Sequence, residues 1–80
     1  MSYQGFPSRA HWNVALHINN NEPLYRIACA YARRINRGSY TAEDAAKGML
    51  ARLPAKTPDG YSYSVRTVRR VLVSLARDGV

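Results

Sequence analysis

An all-α fold, a small bundle of three to four short helices, is predicted by three features of this 80-residue chain. Apolar residues recur at 3/4 spacing in three separate segments. Cap residues (Asn, Thr or Ser) precede these segments, and Gly or Pro follows them. No second convincing strand exists with which a first could pair. The hydrophobic fraction of 46%, drawn mostly from Ala, Val, Leu and Ile with six Tyr and one Trp, is that of a globular chain. At this length the expectation is one domain over residues 1–80, able to bury only about 60% of its unfolded surface.

The elements follow in order. Residues 1–7 hold glycine and proline breakers and read as a loose arm, with Tyr3 and Phe6 as possible anchors. Over residues 8–19 two patterns compete. Trp12, Val14, Leu16 and Ile18 alternate as in a strand, whereas a Ser8 cap with Trp12, Ala15, Leu16 and Asn19 fits a short helix. The helical reading is preferred, because a lone strand cannot satisfy its backbone. Asn21 is the expected cap of the next helix, with Pro23 in its first turn. Leu24, Ile27, Ala28, Tyr31 and Ile35 form its apolar face, and Gly38 is its stop. Thr41 with Asp44 resembles a capping box that opens a helix over Ala42, Ala45, Ala46, Met49, Leu50 and Leu53, ended by Pro54. Pro58-Asp59-Gly60 marks a turn. Ser62 or Ser64 then caps a last helix with Val65, Val68, Leu72 and Leu75 inward, Val71 widening the stripe and Gly79 closing it. The expected core joins these stripes, with Trp12 and Leu16 closing one side.

Charge is placed unevenly along this pattern. Residues 22–38 carry Arg26, Arg33, Arg34 and Arg37 against Glu22 alone, and residues 61–80 carry Arg66, Arg69, Arg70 and Arg77 against Asp78 alone. The stretch between them is neutral. The net charge of +7 therefore comes almost wholly from two helices, with Arg9 as the remainder. At 100° per residue Arg26, Arg33 and Arg37 share one face, as do Arg66, Arg70 and Arg77, with Arg69 at the flank. A face that only needs solvation usually mixes signs. A guanidinium also forks onto phosphate or carboxylate where an ammonium offers a point charge. Tyr61 and Tyr63, just before the last helix, are placed to stack on bases or on arginine planes, or equally to pack at the edge of the core. The expected work is binding of an acidic partner.

Catalysis finds no constellation. His11 and His17 diverge on a helix, the acids are scattered, and no metal-ligand spacing, phosphate loop or nucleophile elbow occurs. We expect no enzyme, no cofactor and no metal. Cys29 is the one cysteine and reads as a small buried apolar residue. No apolar run approaches a membrane span and the start lacks a signal peptide, so a cytoplasmic location in a bacterial host cell is expected.

Two resemblances sharpen this reading. The stretch from Tyr3-x-Gly5-Phe6 through Trp12-Asn13-Val14-Ala15-Leu16-His17-Ile18-Asn19-Asn20-Asn21-Glu22-x-Leu24-Tyr25 is similar to the opening of a widespread family of small, uncharacterised tailed-bacteriophage proteins. Their pattern reads approximately Y-x-G-W-x-x-x-x-T-W-N-V-A-L-W-I-N-N-D-E-x-L-Y. Phe6 and His17 stand where tryptophan is usual, and Asn21 where the family has Asp. The resemblance implies a phage origin, with Trp12, Leu16 and Tyr25 as core anchors. Separately, the last two helices resemble a helix-turn-helix, with residues 64–72 looking like the recognition helix of winged-helix repressors. Residues 54–61 are longer than the usual turn of that motif. The expected function is a small phage binding protein that inhibits a host nucleic-acid-processing or defence complex, of anti-CRISPR or host-takeover type. Its arginines would meet an acidic protein surface or a nucleic-acid site. The alternative is a helix-turn-helix-like protein that binds DNA or RNA directly. Whether the two basic faces form one patch is not decided by periodicity.

Overall fold

Four side-chain caps set the four helices. In the computed structural model, which describes residues 7–79, Ser8 accepts from the His11 amide and opens α1 (Arg9–Asn20). Asn21 accepts from the Leu24 amide at 3.1 Å and opens α2 (Glu22–Asn36), with Pro23 where its missing N–H costs nothing. Thr41 caps α3 (Ala42–Leu50) through the Asp44 amide. Ser64 and Thr67 exchange side-chain-to-backbone bonds in a full capping box at α4 (Val65–Arg77). The stretch over residues 8–19 is therefore helical, as preferred. The expected arm over 1–7, with Tyr3 and Phe6, lies outside the described residues except for Pro7.

α2 ends in a Schellman motif: Ser39 donates to the Arg34 carbonyl at 2.9 Å and Gly38 to that of Ile35 at 3.0 Å. The motif requires a left-handed residue, and Gly38 supplies it at φ 77°. α3 is shorter than the sequence suggests. It stops at Leu50, and Arg52 and Leu53 donate to Met49 and Leu50 in a tightened turn. Pro54 explains this, since it has no N–H for the Leu50 carbonyl and disfavours helical geometry at Leu53.

α2 and α4 pack on each other, and both also touch α1 and α3, which do not meet. The core lies around this central pair. Val14 and Ile18 of α1, Ala28 and Ala32 of α2, Ala45, Ala46 and Met49 of α3, and Val68, Val71 and Leu72 of α4 are fully or almost fully buried. Alanines at these contacts let the helix backbones approach closely. Cys29 is buried as expected. The anchors at the edges differ from expectation. Trp12, Leu16 and Leu24 are half-buried and Tyr25 is exposed. α1 is rolled so that Asn13, Val14, Ala15 and Ile18 face inward instead.

Asn13 explains that roll. Residues 51–64 form no tight helix-turn-helix turn. They make a small hairpin-like excursion, with an isolated antiparallel bridge between Lys56 and Ser62 and Thr57 donating to the Tyr61 carbonyl at 2.8 Å. The buried Asn13 amide fastens this excursion to α1. Its Oδ1 accepts from the Thr57 hydroxyl at 2.9 Å and its Nδ2 donates to Asp59 at 2.8 Å. His17 Nε2 lies 2.9 Å from the same Asp59 oxygen. Among the described residues no buried side-chain polar atom is left without a partner.

Two substitutions test this packing. Asn13→Ala leaves the buried Thr57 hydroxyl without its acceptor, so unfolding free energy should fall by about 1–3 kcal/mol in urea titrations. Amide exchange at Thr57, Gly60 and Tyr63 should quicken more than elsewhere. Gly48→Ala sets two effects against each other. Alanine improves helix propensity by about 1 kcal/mol, but its Cβ would stand 3.0 Å from Cε1 and the hydroxyl of Tyr31. Tyr31 is buried and bonded by Arg52, so crowding, at about 1–3 kcal/mol, should win and lower the urea midpoint.

Candidate anion-binding face

The buried stripe of α4 fixes what it shows to solvent. With Val68, Val71, Leu72 and Leu75 inward, the exposed residues are Arg66, Arg69, Arg70, Ser74 and Arg77. All four arginines expected at this face are on it. The four arginines of α2 divide. Arg26 is bonded to Glu22 one turn earlier, on the exposed surface. Arg34 is half-buried, with its guanidinium 5.2 Å from the Tyr31 ring centre and 5.6 Å from that of Tyr40. It serves as a cation–π clasp on the stacked pair Tyr31 and Tyr40. Arg33 and Arg37 remain exposed.

The helix dipole separates these arginines further. Arg33, Arg34 and Arg37 stand at the C-terminal end of α2 and Arg77 at that of α4, where a cation stabilises the helix. Arg66 stands in the first turn of α4, and Arg69 and Arg70 in the next. In the first turn the dipole opposes the charge of Arg66, and no acid there offsets it. The three are also mutually repulsive at 3/4 spacing. Helix stability gives no reason for them.

These three arginines face the start of α1. Together with Pro7 and His11 they line a shallow cleft of about 290 Å³. The Ser8 hydroxyl is 2.7 Å from His11 Nδ1 and orients the ring. Burial first, then the charges of Arg66 and Arg70, hold the His11 imidazole below its ordinary value. The sequence offered His11 only as half of a poor metal pair. Its place beside α4 depends on how α1 packs, which no local pattern encodes.

The other ends of α2 and α4 also meet. Asn36 Nδ2 donates to the Ala76 carbonyl at 3.0 Å, so the C-terminal ends of α2 and α4 abut, with Arg37 and Arg77 next in sequence. Nearby, the Tyr25 phenol is held above its ordinary value, chiefly by its hydrogen bond to Cys29 and more weakly by Asp78. The tyrosines chosen from sequence do not provide a stacking surface. Tyr63 is 7% exposed and belongs to the core, where burial raises its phenol. Tyr61 is half-buried, and its amide is bonded to Thr57. Their alternation with Ser62 hid this, because the docking of residues 51–64 turns Tyr63 inward. Among the described residues no three His, Cys, Asp or Glu side chains gather as a metal would require, and no helix is long and apolar enough to cross a membrane.

Two shifts give stability an acid-side dependence. Asp59 is held below its ordinary value of 3.8 by hydrogen bonds from Asn13 and His17. The folded state thus favours its charged form, and this stability is present above the ordinary carboxylate range and lost as pH falls through it. His11, lowered from 6.5, favours its neutral form when folded. Its contribution is complete above that value and declines as pH falls below it. Urea midpoints should therefore drop from pH 7.5 to pH 5, and His11→Gln should flatten that part of the profile. An identical slope in the variant would refute the assignment to His11.

No curated protein and no solved structure matches this sequence. A family of unknown function, DUF7249, matches residues 1–73, which include the similar N-terminal pattern, all of α1–α3 and the α4 arginines of the cleft. The chain belongs to this family.

Proposed function

We propose that this is a non-enzymatic, phage-encoded binding protein that inhibits a host nucleic-acid-processing or defence complex, docking through the arginine face of α4. The observation that carries the proposal is the placement of Arg66, Arg69 and Arg70. They crowd the first two turns of a helix packed against three neighbours, where the dipole disfavours Arg66 and like charges stand at 3/4 spacing, a cluster that a polyanionic partner favours. The N-terminal resemblance supplies the phage context, and the lack of a catalytic constellation in the sequence leaves binding as the work. Base reading in helix-turn-helix fashion is the weaker alternative, because residues 51–64 are folded onto α1 through Asn13 rather than forming the short turn of that motif.

The test is affinity capture from host lysate with the tagged full chain. Arg66→Glu/Arg70→Glu should reduce recovery of the captured complex at least tenfold without lowering the thermal midpoint. Arg26→Glu, away from the face, should recover it normally. Undiminished recovery by the double variant overturns the α4 docking face.

A further inference from the structure

We propose that the cleft between the N-terminal ends of α1 and α4 is a phosphate seat, in which Arg66, Arg69 and Arg70 with His11 hold a phosphate group of a nucleic-acid strand. This rests on the reading of the α4 face as the docking surface, and it names the chemical group which that surface recognises.

Concavity separates this site from the rest of the basic surface. A carboxylate-bearing protein patch is met well enough by an open stripe of arginines. A small tetrahedral oxyanion projecting from a backbone is better met by donors converging from several sides, and the cleft has that form. Arg66 is three residues from Arg69 and four from Arg70, so the three guanidiniums rise from adjacent turns of one face. His11 and Pro7 close the side opposite. Each guanidinium presents a planar fork of donors suited to phosphate oxygens. The Ser8 hydroxyl holds the histidine ring from its Nδ1 side.

Electrostatics points the same way. α2 and α3 carry acids in their first turns, whereas α1 and α4 carry none, and it is the starts of α1 and α4 that border the cleft. Each acid of the chain is placed elsewhere. Glu22 is bonded to Arg26 and Glu43 approaches Lys47 at 3.8 Å. Asp44 lies in the first turn of α3 and Asp78 caps α4 at its far end. Asp59 is held by Asn13 and His17. Among the described residues the cleft is lined by three arginines, His11 and Pro7, and the charges of Arg66 and Arg70 add to burial in holding His11 below its ordinary value. A bound dianion would offset those charges.

The experiment uses the full-length chain with sodium pyrophosphate as the small probe, a short fluorescent oligothymidylate as the strand, and polyglutamate as a carboxylate polyanion. Pyrophosphate should shift the side-chain Nε–Hε resonances of Arg66, Arg69 and Arg70 and raise the NMR titration midpoint of His11, leaving Arg26 unmoved. Arg69→Ala should weaken oligothymidylate binding about tenfold and reduce the log–log salt slope by about one, with Arg26→Ala unchanged. Arg69→Lys, which keeps the charge and loses the fork, should fall between wild type and Arg69→Ala. Polyglutamate should bind at least tenfold more weakly than the oligonucleotide. Polyglutamate binding as tight as the strand, equal losses in the Arg26 and Arg69 variants, or no pyrophosphate response at the cleft each overturns the seat. A silent cleft combined with loss of capture by Arg66→Glu/Arg70→Glu overturns the seat alone. A responsive cleft with undiminished capture supports the seat and overturns the host-complex docking face.

Discussion

The pairing of α2 with α4 is the constraint on which the rest of the structure depends. Each of these helices touches both flanking helices as well as the other, and α1 and α3 never meet. In a chain this short every apolar stripe must be shared, since there is too little surface to bury it twice. The alanines of α2 and α3 make that sharing possible by keeping backbones close. The consequence for function is geometric. Wrapped by three neighbours, α4 has one free face, and the sequence fills that face with arginine.

The second constraint is polar. A connection of the length of residues 51–64 is free to wander unless something holds it, and Asn13 does so from inside α1. An amide is suited to this because it donates and accepts at once, meeting the Thr57 hydroxyl with one atom and the Asp59 carboxylate with the other. The bond to Thr57 lies where water is excluded, so its loss is not readily compensated. This tether rolls α1, exposes part of Trp12 and Leu16, and places His11 against the start of α4. The buried contact thus sets the geometry of the cleft from the far side of the helix.

Much of this was legible from sequence. The helix class, the caps at Asn21, Thr41 and Ser64, the stop at Gly38 and the inward stripe of α4 follow from local chemistry that acts within one turn. What escaped depends on contacts between distant segments. The alternation of Trp12, Val14, Leu16 and Ile18 mixes two buried residues with two half-buried ones, because the Asn13 tether, not hydrophobicity alone, chooses the face. For Tyr63 the sequence leaves stacking and a core-edge position equally open, since nothing adjacent to it signals the fold-back of residues 51–64. Leu53 was counted as helical although Pro54 already forbade the last bond, a local signal present but read one turn too late. Tyr40 escaped for a further reason: its stacking partner Tyr31 lies nine residues away across a turn, and Arg34 clasps both.

Arginine number alone overstated the binding surface, and the structure supplies the correction through energetics. Cations at a helix C-terminus each contribute about 0.3–1 kcal/mol toward the helix. Arg33, Arg34, Arg37 and Arg77 stand at such ends, and Arg26 is bonded to Glu22, so five of the eight arginines in residues 22–38 and 61–80 have a reason to exist within the fold. The same interaction changes sign at the other end of α4. Arg66 sits where the dipole opposes it and where Arg69 and Arg70 repel it at 3/4 spacing, and the capping box of Ser64 and Thr67 stabilises the helix start despite this. A local conflict maintained inside an otherwise consistent helix is the mark of a functional position. The anionic partner proposed for this face would ease it, by placing negative charge among these guanidiniums.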